Sequence, residues 1–452
     1  MSQSIWKDGI GKGDGGTAPE AGAGGTFHMP EFGRLESDRK TEVLIVGGGL
    51  CGLLCAYFLK QAGVGCMVVE ADRICSGVSG NTTAKITSQH GLIYSQLIQV
   101  YGREKAGMYL QANEAALGEY RKLAAEIDCD FEEKDAYTYS LADRKTIEDE
   151  VRALQSLGFP AEFAEGADLS LPFQTRGAVR YRKQAQFHPL KFAAKIAEDL
   201  DVCEYTLVRD ISRNAAYTDR GTITADKILS ASHFPFLNRR GNYFLKLYQH
   251  RSYVTALQNA QYMDGMYADE SKTGLSFRNY GNLLLLGGGS HRTGKKGGGW
   301  KELEHAKARF YPESEEICRW AAQDCMSLDG IPYIGAYSRN TPDFYVAAGF
   351  NKWGMTSSMA AALLLRDQIL ERENEWSPVF APDRSILHPQ VFVNGIESVI
   401  NLLTPSLRRC PHLGCALKWN PSEHTWDCPC HGSRFSGDGS LIDNPAKHDA
   451  RV

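Results

Sequence analysis

TEVLIVGGGLCGLLCAYFLKQAGVGCMVVEAD, Thr41 to Asp72, changes its apolar period twice within one short stretch. VLIV and CMVV are short apolar runs of strand length, and LCGLLCAYFLKQ between them has the length and composition of a helix. Glycines separate the first strand from the helix. Gly47, Gly49 and Gly52 have the spacing that tightens a turn, lets a pyrophosphate approach the backbone and packs helix on strand. The anion would sit at the helix N-terminus, where unpaired N–H groups and the helix dipole favour negative charge. Glu70, closing the second strand, is placed to bind a ribose hydroxyl. Glycine spacing alone is weak evidence, but strand, turn, helix, strand and acid in this order predict a dinucleotide-binding βαβ unit.

The flanking sequence fills out an α/β chain. Helical patterns occupy 96–127, 144–157 and 189–200, and strands dominate 203–293, including alternating Tyr243–Leu257 and buried-looking NLLLLGG. A helix-heavy stretch over about 300–322 leads into DFYVAAGFNKWGMTSSMAAALLLRDQIL, another strand, turn and helix. SPVFAPDRSILHP reads as a linker because of its three prolines. The expected organisation is a flexible Gly-rich tail over 1–39, an oxidoreductase unit over 40–377, a linker over 378–387 and a small domain over 388–452.

The 452 residues carry a net charge of −4, which gives no whole-chain electrostatic footprint for nucleic acid or anionic lipid, and neither partner is expected. The longest apolar run, Val43–Leu59, is too short and glycine-rich for a membrane helix. No apolar signal-peptide core precedes it, so a cytoplasmic location is expected. Eight cysteines (Cys51, Cys55, Cys66, Cys75, Cys129, Cys203, Cys318 and Cys325) follow no disulfide framework and read as small packing residues.

The glycine motif does not choose between NAD and FAD. SGVSGNTTAKITSQHG, Ser76–Gly91, is small and polar enough to lie along an extended cofactor. GFNKWGMTSS sets Gly354, Met355 and Thr356 at a second helix start, aimed at a flavin's pyrimidine edge. With VLIVGGGLCG and Glu70, the segments ASHFPF (231–236), LLLLGGGSHRTG and DGIPYIG followed by AAGFNKWGMT resemble the FAD-dependent D-amino-acid oxidase (DAO) superfamily over about residues 40–375. The resemblance implies a discontinuous Rossmann-like FAD-binding domain covered by a mixed-sheet substrate domain, with Tyr243–Leu257 in the cover. Glycine-oxidase-like members carry a carboxylate-clamping arginine between a tryptophan and a DG-x-P-x-IG turn. Trp320, Asp329, Gly330, Pro332, Ile334 and Gly335 match that spacing, but Asp324 stands at the arginine's position. An aspartate cannot replace a bidentate guanidinium, although it can attract a cationic amine. Arg251, Arg278 and Arg292 are alternative clamps, and Lys85, His90, Tyr253 and His291 are candidate substrate or flavin contacts, each also readable as a structural side chain.

CPHLGCALKWNPSEHTWDCPCHGSRF, Cys410–Phe435, holds four of the chain's twelve cysteines. Cys410 with His412 and Cys428 with His431 form two ligand pairs, which by spacing alone suit either a tetrahedral zinc or a [2Fe–2S] cluster. CPHLGC followed by CPCHGS, with downstream GDGSLIDNPA, closely resembles the paired loops of Rieske proteins. That resemblance implies that Cys410 and Cys428 bind one iron, His412 and His431 bind the other, and Cys415 pairs with Cys430. It also implies that Ser433 donates a hydrogen bond to the cluster, and that Phe435, where high-potential members have tyrosine, does not. An intermediate potential within about −150 to +300 mV is expected. The domain has few residues before its first loop and is expected to be short, all-β and supported by the flavoprotein.

Together these features predict a dehydrogenase that oxidises a small amine, amino-acid-like or related donor and passes electrons from FAD through the cluster to an external protein or quinone acceptor. The alternative is an electron-transfer or redox-sensing protein reduced by a protein partner.

Overall fold

The computed structural model describes residues 3–7, 27–237, 240–271 and 273–452. Strand Arg39–Val46 begins exposed and ends with four buried residues, VLIV. It pairs in parallel with Cys66–Val69 on one side and Thr222–Ser230 on the other. Phe344–Ala348 continues the parallel run and Tyr333–Ala336 closes the edge antiparallel, within a sheet of eight strands. Helices Leu50–Gln61 and Gly354–Ile369 are buried over most of their surfaces and pack against each other, which is why neither shows a polar face in its sequence.

A second sheet of nine strands lies beyond the first. Its order runs from Glu315–Ser327 and Leu247–Gln258, through Leu283–Arg292, Ser276–Tyr280 and Met266–Asp269, to Glu132–Ser140, Gly177–Gln186 and Lys85–Ile86. It is mixed: Met266–Asp269 runs parallel to Glu132–Ser140 while its other long pairs are antiparallel. A separate four-stranded antiparallel sheet, Lys418–Asn420, Thr425–Asp427, Arg434–Phe435 and Leu441–Asp443, forms the C-terminal domain.

Four expectations need correction. Helix occupies Gly299–Phe310 only, and EEICRWAAQDCMS, Glu315–Ser327, is a strand. Its pairing with Leu247–Gln258, which sets Trp320 opposite Val254 and Asp324 opposite His250, overrides the helix propensity of its Glu and Ala residues. Tyr243–Lys246 is a short helix, and the cover strand starts at Leu247. The flexible tail does not describe residues 3–7 or 27–39. Trp6 is fully buried, edge-on to Tyr280 and His188 at 4.8 and 5.0 Å, and its Nε1 donates to the Thr82 carbonyl at 2.7 Å. Leu35 is also buried, and residues 8–26 lie outside the described residues. The proline-rich linker is packed rather than loose: Val379 and Phe380 join the main core, and Arg384 forms a buried ion pair with Asp329 at 2.7 Å.

The small all-β domain expected at the C-terminus is present as the four-stranded sheet, and the region from 388 adds a helix ahead of it. That helix, Pro389–Leu403, is N-capped by the His388 side chain.

Candidate functional site

The glycine loop is shaped by contacts that no side chain would survive. Gly47 has φ +116°, and a Cβ there would lie 2.5 Å from the Ala231 carbonyl oxygen; at Gly52 it would lie 1.9 Å from that of Gly47. Gly49 caps the helix without a side chain to bond its first N–H groups, and the Leu50 N–H donates to Ser79 Oγ at 2.9 Å. Glu70 accepts hydrogen bonds from the Gly48 N–H at 2.7 Å and the Asp72 N–H at 3.0 Å, and burial pushes its carboxyl pKa up. Gly47, Gly49 and Glu70 open onto a cleft of about 1610 Å³ that runs along 76–85 and beneath the second sheet. A backbone cradle that a Cβ would fill, followed by a cleft of this length, fits an extended dinucleotide.

The second glycine turn closes the cleft. Gly354 and Met355 line it, and Thr356 Oγ1 donates to the Thr87 carbonyl at 3.1 Å while meeting His90 Nε2 at 2.9 Å. His90 Nδ1 lies 2.6 Å from the Tyr109 hydroxyl, and the His90 ring stacks on Trp353 at 5.1 Å. Burial lowers the His90 pKa to about 3, so the imidazole is neutral at physiological pH and braces the helix start. Lys85 also lines the cleft, and burial, then the neighbouring Arg278, brings its ammonium down to about 7.

Beneath the second sheet, Asp324 accepts from Ser252 Oγ at 2.7 Å, Ser290 Oγ reaches Ser252 Oγ at 3.2 Å, and Lys352 Nζ donates to Ser290 Oγ at 2.8 Å. This polar row was not anticipated as a group. Asp324 was singled out, but its partners come from two other strands and a turn. His291 does not line the cleft; it stacks on Tyr253 at 5.7 Å.

None of the three alternative arginines is available to clamp a substrate. Arg278 is fully buried and donates to the Thr83 and Ala84 carbonyls at 2.6 and 3.0 Å, with the Trp6 ring 5.6 Å away. Arg251 is ion-paired with Glu423 of the C-terminal domain, whose carboxylate also accepts from the Tyr253 hydroxyl at 3.0 Å and pairs with Arg434 at 2.9 Å. Arg292 donates to the Pro429 and Cys430 carbonyls at 3.2 and 3.3 Å. The last two arginines and Tyr253 therefore serve the junction between the domains.

That junction grips the second Cys/His loop. Gln249 Nε2 donates to the His431 carbonyl at 2.8 Å, Gln323 Nε2 to the Gly432 carbonyl at 2.8 Å, and Asn444 Nδ2 to the Phe234 carbonyl at 2.9 Å. Gly432 has φ +84°, and a Cβ there would lie 2.6 Å from Gln249 Cβ. The two loops repeat one turn: the Gly414 N–H bonds the Cys410 carbonyl and the Gly432 N–H bonds that of Cys428, both at 2.9 Å. Their rings meet, with His412 and His431 4.9 Å apart centre to centre, and Cys415 and Cys430 form a disulfide.

The donor chemistry fits an iron–sulfur cluster. Cys428 is drawn toward the thiolate by the Cys410 thiol and by the backbone N–H groups of His431, Cys430 and Gly432. Both ring nitrogens of buried His431 lack a hydrogen bond, and burial lowers its pKa to about 3, so a neutral imidazole is ready to ligate. The donor atoms of Cys415, Cys428 and His431 all lie within 4.8 Å of one another, although the Cys415 sulfur is already engaged with Cys430. Ser433 is fully buried and its hydroxyl bonds toward Cys410, whose thiol pKa is pushed well up by the Cys428 thiol and by burial, an effect that Ser433 only partly offsets.

A dinucleotide cleft under a mixed sheet, joined to paired Cys/His loops, defines a flavin-dependent oxidoreductase with a second, iron–sulfur redox centre. The chain belongs to the family of FAD dependent oxidoreductases (DAO), whose family model matches residues 42–368, and a Rieske [2Fe-2S] domain model matches 404–452. Its cofactors are FAD and a Rieske cluster. The chain is similar to the putative Rieske 2Fe-2S iron-sulfur protein YhfW of Bacillus subtilis, at 33% identity over 95% of this chain and 96% of that protein. Glycine oxidase from Geobacillus kaustophilus shares the fold with a TM-score of 0.64 at 22% identity, over 77% of this chain and 99% of that one. L-proline dehydrogenase from P. horikoshii does so with a TM-score of 0.64 at 17% identity, over 77% and 98%. The described residues contain no helix long and apolar enough to cross a membrane.

Proposed function

We propose that the protein is a dehydrogenase that oxidises a small amine or amino-acid-like donor in the cleft and sends the electrons through its Rieske domain to an external acceptor. The observation that carries this reading is the grip of Gln249, Gln323 and Arg292 on the loop around His431, which ties the second redox domain to the sheet roofing the cleft. An oxidase that delivers electrons directly to oxygen has no use for such a junction. Bound FAD supplies two-electron acceptance from the donor, and the cluster supplies one-electron transfer.

In this reading Gly47, Gly49, Gly52 and Glu70 hold the dinucleotide, and Gly354, Met355 and Thr356 present a helix N-terminus to the flavin. Cys410 and Cys428 hold one iron, and His412 and His431 the other. Asp324, Ser252, Ser290 and Lys352 orient the donor, with Asp324 suited to an ammonium group. The names of the similar glycine oxidase and L-proline dehydrogenase support an amino-acid-like donor.

The engagement of Arg251, Arg278 and Arg292 elsewhere favours a second reading, in which a protein partner and not a carboxylate substrate reduces the flavin. Anaerobic absorbance titration of the holoprotein with amino acids, amines and hydroxy acids separates the two. Bleaching of flavin and cluster by one of these supports the dehydrogenase. Bleaching only by dithionite or a reduced protein supports the second reading.

A further inference from the structure

Helix Pro389–Leu403 is built inside out. Its buried residues are Asn394 and Asn401, while Phe392, Ile396, Val399 and Leu403 are 66%, 60%, 56% and 76% exposed. Asn394 is fixed inward, accepting from Arg292 at 2.9 Å and donating to the Leu245 carbonyl at 3.3 Å, so the apolar stripe cannot rotate into the core. Leu407, fully exposed, and Leu413 extend the stripe to the first cluster loop. A continuous apolar face of this kind marks an interaction surface.

We propose that this face lies on the surface of a bilayer containing acidic phospholipid. Charge selects the occupant. Between Ser385 and Lys418 the sole acid is Glu397, which Lys295 neutralises at 2.6 Å. Lys296, next to Lys295, and Arg408, next to Leu407, are exposed beside the stripe. An uncharged apolar stripe with a cationic rim is the pattern of an interfacial helix on anionic lipid. The whole-chain charge of −4 averages this patch away. A second copy docked by two-fold symmetry would set rims of like charge together. The chain's own residues 8–26 hold one large apolar side chain, Ile10, too little to cover the stripe.

The helix is joined to the first cluster loop: the Ala416 N–H bonds the Asn401 carbonyl at 2.9 Å, and Arg409 bridges the Leu402 and Gly414 carbonyls at 3.1 and 2.8 Å. Docking therefore brings half-buried His412 to the lipid boundary, where a lipid-soluble acceptor would be met. That consequence rests on the electron-export reading. The docking itself does not, so the two fail separately.

The test is flotation of the full-length holoprotein with vesicles of phosphatidylcholine plus phosphatidylglycerol, and with phosphatidylcholine alone. The protein should float with the acidic vesicles and less with the neutral ones. Ile396→Ser with Leu403→Ser should lower the bound-to-free ratio roughly tenfold or more, with an unchanged cluster spectrum. Protein left in the buffer with both vesicle types overturns the proposal, as does equal binding to both. A solution dimer, seen by light scattering and dissociated by the same substitutions, overturns it too, because a second copy then owns the face.

Discussion

Replacing Glu423 by alanine should uncouple the two domains. Its side chain is 12% exposed and faces Arg251 and Arg434, each 5% exposed. Burial works to raise its pKa, but the two arginines prevail and hold it down to about 2 from an ordinary 4.5. A depression of that size corresponds to roughly 3 kcal/mol of stability. Because the folded value is the lower one, that contribution is complete above pH 4.5 and fades as pH falls toward 2. At neutral pH the alanine variant also strands the buried Arg251 guanidinium, while Arg434 keeps Asp427 and Asp443 at 3.2 and 3.1 Å, for a total loss of about 3–5 kcal/mol. Guanidinium unfolding followed by cluster absorbance and flavin fluorescence measures it. The cluster signal of the variant should be lost at lower denaturant than the flavin signal. Tyr253→Phe, which removes one hydrogen bond to the same carboxylate, should cost only about 1 kcal/mol. If Glu423→Ala stays within roughly 0.5 kcal/mol of the parent, the ion pair does not hold the domains together and the reasoning fails.

Phe435→Tyr should add a hydroxyl donor near the cluster and raise its midpoint potential by tens of millivolts, read by redox titration; an unchanged or lowered midpoint would count against the assigned tuning. Gly432→Ala combines a left-handed backbone with a contact against Gln249 and should lower cluster content per chain, measured by iron and sulfide assay. Trp6→Ala should cost about 3–5 kcal/mol and free segment 80–85, so that FAD is lost faster on dilution, followed by flavin fluorescence. Cys415→Ser with Cys430→Ser opens a disulfide across 15 residues and should cost about 3 kcal/mol by thermal unfolding.

Features written into contiguous sequence were legible beforehand. The glycine turn between VLIV and a helix is one local pattern, and CPHLGC with CPCHGS is another, because a turn or ligand loop needs its residues at fixed neighbouring positions. The junction was illegible for the opposite reason. Arg251 and Glu423 lie 172 residues apart, and Gln249 reaches the His431 carbonyl across 182, so no local spacing records either contact. Reading Arg251, Arg292 and Tyr253 as cleft residues was sound for strands roofing a cleft, but the second domain claims their polar ends. Trp6 was hidden by the glycine-rich composition around it, although a tryptophan in such a stretch is itself a sign of anchoring. Helix Pro389–Leu403 follows a proline-rich stretch, and its inward asparagines and outward leucines reverse the usual amphipathic sense.

The central claim is that flavin and cluster exchange electrons within one chain. Rapid-mixing freeze-quench electron paramagnetic resonance on anaerobic holoprotein, after reduction at the flavin, measures the appearance of reduced cluster directly. The account predicts a rate that does not change with protein concentration. A rate that rises in proportion to concentration, or a cluster that stays oxidised beside reduced flavin, would contradict it.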